Sequence, residues 1–227
     1  MIEKEFRNLG KEGFNRVPVV LEMFADLDTP LSVYIKTANL PYSYLLESVQ
    51  GGERFGRYSF IGLSARTRFY VFGRRCVEMR DESIVREETV TDPLEWIRDI
   101  QERYVAYPRP DLPRFLGGLV GCFGYETIKY IEKKLDTEDK PDKLKTPDIL
   151  LLLSEELVVV DNLSGRLFVV VYADPGQEHS WDYAQARLGD INSMLDKPSI
   201  APLQNHGELS STNTEFSKID FIEAVRK

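Results

Sequence analysis

ILLLLSEELVVVDNLSGRLFVVVY, residues 149–172, decides the fold class. It reads as three strands, 149–153, 156–160 and 166–172. The last two are joined by Asp161-Asn162-Leu163-Ser164-Gly165, a hairpin signal made of residues that tolerate tight turns. Strands joined this closely pair antiparallel, because a parallel partner needs a crossover of a dozen residues or more. Working back along the chain, the same grammar recurs. Thr67-Arg68-Phe69-Tyr70-Val71-Phe72 and Cys76-Val77-Glu78-Met79 flank the turn Gly73-Arg74-Arg75. Leu45-Leu46-Glu47-Ser48 and Arg57-Tyr58-Ser59-Phe60-Ile61-Gly62 flank a loop holding Gly51-Gly52. Residues 115–125 read as a buried, glycine-rich strand, and 126–134 as a helix.

Helices punctuate these pairs. Thr29-Pro30 predicts an N-cap followed by proline in the first turn, with Leu31, Tyr34, Ile35 and Ala38 as the apolar stripe. Asp92-Pro93-Leu94-Glu95 predicts a second start, with Glu95 reaching back as in a capping box. Ser180 is expected to cap a third helix, striped by Trp181, Ala184, Leu188, Ile191 and Leu195. Residues 1–16 read as a loose charged arm and 135–147 as a charged loop. Strands thus arrive as neighbouring pairs between helices. The predicted class is α+β with largely antiparallel sheet, not a doubly wound parallel sheet.

The 227 residues suffice to bury a core, hiding roughly 70% of the unfolded surface. With 29 basic and 37 acidic residues, the net charge is −8. No basic stripe is present, which disfavours nucleic acid and anionic membrane as partners. The most apolar stretch is broken by Ser154, Glu155 and Glu156, short of the ~20 residues a membrane span needs. Cys76 and Cys122 make neither a metal spacing nor a disulfide framework and read as reduced, buried thiols of a cytoplasmic protein.

Domain organisation reads as one unit over 1–196, a polar linker over 197–216, and a fresh helix from 217. In that helix Ser217 and Asp220 form a capping pair, and Phe221, Ile222 and Val225 begin an apolar face. An isolated helix this short is marginal, so 217–227 is expected to open a further folding unit. A short helix docking back on the same unit is the other reading.

The chemistry gathers between residues 46 and 59. Glu47 can pair with an ammonium and Ser48 with a carboxylate or amine. Strict alternation puts Glu47 and Ser48 on opposite strand faces, so both serve one ligand only where the strand ends or bulges. Spacing alone favours a plain strand end with an exposed Glu and a capping Ser. Gly117-Gly118-Leu119-Val120-Gly121 fits neither nucleotide fingerprint and reads as close backbone packing. His179 and His206 lack companions at metal-ligand spacing, and no nucleophile–base pair is visible.

Several segments in order resemble the large subunit (component I) of anthranilate synthase, a chorismate-utilising family. They are Asn15-Arg16-Val17-Pro18-Val19, Asp28-Thr29-Pro30-Leu31-Ser32-Val33-Tyr34, and the Leu-Leu-Glu-Ser segment through Phe60-Ile61-Gly62. They continue with Phe115-Leu116-Gly117-Gly118-Leu119-Val120-Gly121, Phe123-Gly124-Tyr125-Glu126, Pro147-Asp148-Ile149 and Glu156-Leu157-Val158-Val159-Val160-Asp161-Asn162. The resemblance implies orthogonally packed antiparallel sheets flanked by helices, incomplete in this chain. It implies amination of chorismate and pyruvate elimination with Mg2+, ammonia from a glutamine amidotransferase partner (component II), and feedback inhibition by L-tryptophan. Aminodeoxychorismate and isochorismate synthases are sibling readings, and a non-enzymatic amino-acid-binding or scaffold module is a reading of another class. Carried over residue by residue, Leu46, Glu47 and Ser48, with Arg57, Tyr58 and Ser59, match the tryptophan site. The family's chorismate and Mg2+ ligands fall in sequence not present here. The chain alone is therefore expected to be inactive, to bind no metal, to bind tryptophan weakly, and to risk self-association through unfinished sheet edges.

Overall fold

The computed structural model describes residues 1–25, 27–47, 56–135, 144–199 and 217–226. Its ten strands form two five-stranded sheets, and every ladder in them is antiparallel. The first sheet runs β1 (Val17–Phe24), β10 (Arg166–Ala173), β9 (Glu156–Asp161), β3 (Tyr58–Gly62), β2 (Tyr44–Leu46). The second runs β6 (Ser83–Thr89), β5 (Arg75–Arg80), β4 (Thr67–Phe72), β8 (Ile149–Ser154), β7 (Gly118–Phe123). The expected α+β, antiparallel class is therefore the observed one.

The opening stretch holds the two sheets together. Glu155 alone separates β8 in the second sheet from β9 in the first, and β9 turns into β10 with Gly165 at φ 65°. Both β9 and β10 are central and buried on both faces, which is why they read as unbroken apolar runs rather than alternating ones. Val158, Val160 and Val169 face a core closed by α1 (Glu3–Lys11), α2 (Pro30–Thr37) and α4 (Ser180–Leu195). Leu157, Val159 and Val170 face a second core under Leu112, Phe115 and Leu116. The second sheet packs Phe69, Val71 and Leu151 against Trp96, Ile97 and Ile100 of α3 (Pro93–Glu102). Across the sheets, Tyr44 Oη and Ser154 Oγ share a hydrogen bond of 2.7 Å.

The expected caps at Thr29 and Asp92 form: Thr29 Oγ1 accepts from Ser32 N, and Asp92 Oδ1 accepts from Leu94 N and Glu95 N. Ser217 and Asp220 cap α5 (Lys218–Arg226) reciprocally, and every described residue of that helix is exposed. Most of the linker, 200–216, lies outside the described residues.

Five expectations need correction. The charged arm holds α1, anchored by fully buried Phe6 against Trp181 at 5.3 Å and by Arg7 donating to the Pro175 and Gln177 carbonyls. The glycine-rich strand is not buried: among the described residues β7 pairs only with β8, at the sheet edge, and is mostly exposed. Cys122 on it is exposed in consequence, whereas Cys76 is buried. The helix expected over 126–134 consists of two 3-10 turns, Tyr125–Tyr130 and Lys133–Leu135. Ser180 does not cap α4. His179 takes the cap position at φ 60°, and the Ser180 hydroxyl donates back to the Asp174 and Gln177 carbonyls.

Candidate ligand site

The segment singled out in the sequence lies at the open edge of the first sheet. β2 pairs with β3 through Tyr44–Gly62, Leu45–Ile61 and Leu46–Phe60, so the strand–loop–strand reading holds on both sides of the loop. Leu46 ends β2 and is 45% exposed, and Glu47 follows, exposed. Ser48 and the rest of the loop through Phe55 lie outside the described residues.

On the return strand the three expected residues take different roles. Arg57 is half-open and bidentate on Asp161, with Nε–Oδ1 at 3.0 Å and Nη2–Oδ2 at 2.7 Å. Its guanidinium also lies 4.8 Å from the centre of the Tyr58 ring, a cation–π distance. Tyr58 packs towards Phe60, on the sheet face covered by Phe115. Ser59 points the other way, is 2% exposed, and accepts from Asn162 Nδ2 at 3.0 Å. Alternation along one strand thus separates an aromatic anchor from a pinned hydroxyl.

Asp161 and Asn162 contact these residues, which sequence reasoning did not foresee. They read as turn formers, and Asp161 does fill that role by accepting from Leu163 N and Ser164 N. Only the pairing of β3 with β9, a hundred residues apart, puts Arg57 on the same carboxylate. That guanidinium holds the Asp161 carboxyl down at about 2 against the opposing effect of burial. The cue in the sequence was a carboxylate terminating an apolar run that the fold buries on both faces.

A concavity of about 330 Å³ lies elsewhere, where the chain crosses between sheets. It is lined by Arg16, Arg66, Glu155, Tyr172, His179 and Tyr183 among others, and none of the five described expected site residues (Leu46, Glu47, Arg57, Tyr58 and Ser59) is among its lining residues. Its charges are largely spent internally: Arg16 pairs with Glu155 and Arg66 with Asp81. Burial pushes the Tyr172 hydroxyl up to about 12, so it stays a neutral donor. Among the described residues no three His, Cys, Asp or Glu side chains converge to hold a metal ion. No helix among them is long and apolar enough to cross a membrane.

No protein-family model matches the chain. Whole sequences do. The chain is 46% identical to anthranilate synthase component 1 of Neisseria meningitidis, covering all of this chain and 47% of that protein. For the Pseudomonas aeruginosa protein of the same name the identity is 42%, over 99% of this chain and 47% of the relative. Among solved structures, anthranilate synthase component I from Streptococcus pneumoniae superposes with a TM-score of 0.51 at 19% identity, over 78% of this chain and 37% of that one. Sequence along its whole length, and fold over most of it, place this chain with anthranilate synthase component 1, about half of whose length it spans.

Proposed function

We propose that this chain is the amino-terminal, tryptophan-sensing part of a cytoplasmic anthranilate synthase large subunit. The whole enzyme converts chorismate, with ammonia or glutamine as nitrogen source, to anthranilate and pyruvate. The single observation carrying this reading is the 46% identity over the entire chain. Mg2+ and a glutamine amidotransferase partner belong to the same reading. The described residues assemble no acidic cluster fit for the ion.

Feedback sensing is assigned to the open edge of the first sheet. An α-amino acid presents an ammonium and a carboxylate a few ångströms apart. The loop leaves β2 through Glu47, an anion, and returns to β3 through Arg57, a cation held in a fixed orientation. Opposite charges at the two ends of one loop suit recognition of such a zwitterion. Leu46 and Tyr58 add apolar surface for the effector's side chain. Sheet edges are rigid platforms, and a loop between them offers backbone groups as well.

The test joins this chain to the remaining half of the Pseudomonas aeruginosa relative in a tryptophan auxotroph that lacks its large subunit. Growth without tryptophan, and anthranilate fluorescence that L-tryptophan suppresses, are expected. Ser48→Ala should keep the activity and raise the inhibitory concentration more than about tenfold, the usual scale for a lost polar contact to a charged ligand. A folded chimera that forms no anthranilate refutes the enzyme reading. An active chimera indifferent to tryptophan, or equally inhibited with Ser48→Ala, refutes the site.

A further inference from the structure

Each five-stranded sheet has two outer strands, and three of the four are blunted. Unpaired N–H and C=O groups along an outer strand invite another strand, so proteins shorten such edges, charge them or cover them. β2 is three residues long. β1 carries Pro18, and residues 105–107 run against its start, with Arg16 N donating to the Val105 carbonyl and Tyr107 N to the Arg16 carbonyl. β6 carries Arg86, Glu87 and Glu88 within its seven residues.

β7 has none of these devices. Gly118-Leu119-Val120-Gly121-Cys122-Phe123 contains neither charge nor proline. Among the described residues it pairs with β8 alone, so its other edge is open. The strand is nonetheless held firmly: a side chain on Gly121 would meet the Leu150 carbonyl, so β7 is pressed against β8. Alternation turns Leu119 towards the α3 core, and Val120 and Cys122 to the opposite face. Beyond Leu119 the cover ends. Phe123 is 53% exposed, and the stretch that follows adds Tyr125 at 91% and Ile131 at 65%. An uncharged open edge, continued by exposed aromatic and aliphatic side chains, is suited to strand addition.

We infer that the free edge of β7, with Phe123, Tyr125 and Ile131 beside it, receives an extended strand from the other half of the same large subunit. This rests on the family reading above, since this chain covers 47% of the relatives' length and the rest has no counterpart in it. Backbone pairing supplies the affinity, and apolar residues on the incoming strand meet Val120 on one face and Phe123 on the other. A tethered half reaches the edge at an effective concentration that a free partner lacks. A second copy of this chain suits the edge less well, because each copy carries a net charge of −8 and the two repel.

The experiment compares the 227-residue chain with the chimera that joins it to the remaining half of the Pseudomonas aeruginosa relative. Two readouts by mass spectrometry report on the edge: hydrogen exchange of the 118–123 amides that β8 leaves unpaired, and alkylation of Cys122. Both are expected to slow more than about tenfold in the chimera. Phe123→Lys sets a charge beside the edge. It should leave the Tm of the 227-residue chain unchanged, lower that of the chimera, and restore fast alkylation of Cys122. Ile84→Lys, a change at a similarly exposed residue on the β6 edge, should do none of this. An active chimera whose β7 amides and Cys122 react as fast as in the chain alone overturns the docking surface and leaves the enzyme reading standing. A folded, inactive chimera with both protected refutes the enzyme reading and supports the surface. Protection of Cys122 in the chain alone that grows with concentration gives the edge to a second copy and overturns the inference. Should Phe123→Lys unfold the chimera, exchange and alkylation in the unsubstituted chimera decide alone.

Discussion

Gly62→Ala tests the packing that carries the loop. Gly62 lies directly across from Tyr44 in the β2–β3 pair, and the tyrosine ring lies over it, filling the space a side chain would take. Cross-strand aromatic cover of a strand glycine is a recognised way of stabilising such a site. A Cβ built on Gly62 falls 2.5 Å from Tyr44 Cδ1 and nearer still to Cε1 and Cζ. Carbon atoms prefer about 3.5–4.0 Å, so the ring must retreat by more than about 1 Å. That retreat breaks the 2.7 Å hydrogen bond from Tyr44 to Ser154, which is 3% exposed and would be left unpaired. Overpacking costs about 1–3 kcal/mol and a stranded buried hydroxyl about 1–2 more, so about 3 kcal/mol is expected. Urea unfolding of the purified chain measures it. In a Tyr44→Ala background the clash is gone, and Gly62→Ala should cost under about 0.5 kcal/mol, a coupling of about 2–3 kcal/mol. An equal cost in both backgrounds, or under about 0.5 kcal/mol in the wild type, refutes the account.

Two further outcomes follow from buried groups. Asp161 is held at about 2 in the folded chain against an ordinary 3.8. Its contribution of about 2 kcal/mol is fully present above the unfolded value and is lost as pH falls from about 5 towards 2. Asp28, Asp81 and Asp111 are lowered as well, so only the difference between wild type and Asp161→Asn isolates it, and a pH-independent difference would sink the assignment. The two thiols should separate cleanly: Cys122 is exposed on β7, whereas burial pushes the Cys76 thiol up to about 11. Titration with a thiol reagent is expected to modify one cysteine in the native chain and both in denaturant. Rapid loss of both native thiols would contradict the α3–second-sheet packing.

The parts of the fold that were legible are those whose local chemistry has one solution. The run over 149–172 can only be three buried strands, and Thr29-Pro30 and Asp92-Pro93 can only open helices. The parts that were not legible depend on distant partners. In α1 the residues are mostly charged, and what makes the helix stable is Phe6 reaching Trp181 and Arg7 reaching the Pro175 and Gln177 carbonyls. In β1, Pro18 argues against a central strand, and its place is the edge of the first sheet, where the proline stands opposite Tyr172. In β6 the apolar residues Ile84 and Val85 are exposed, so the strand carries no burial pattern and is held by pairing with β5 and by Trp96 Nε1 donating to the Glu88 carboxylate.

The candidate site divides along the same line. Glu47 and Arg57 were visible because they sit at the ends of a loop with a turn signal, though spacing alone would have left them as an ordinary strand end. The restraint on Arg57 comes from Asp161 and Asn162, which no local pattern ties to residue 57. Each is fully accounted for, in sequence, by the hairpin it opens. Only the antiparallel register Tyr58–Asp161 and Ser59–Val160 turns that hairpin into a clamp on the opposite strand.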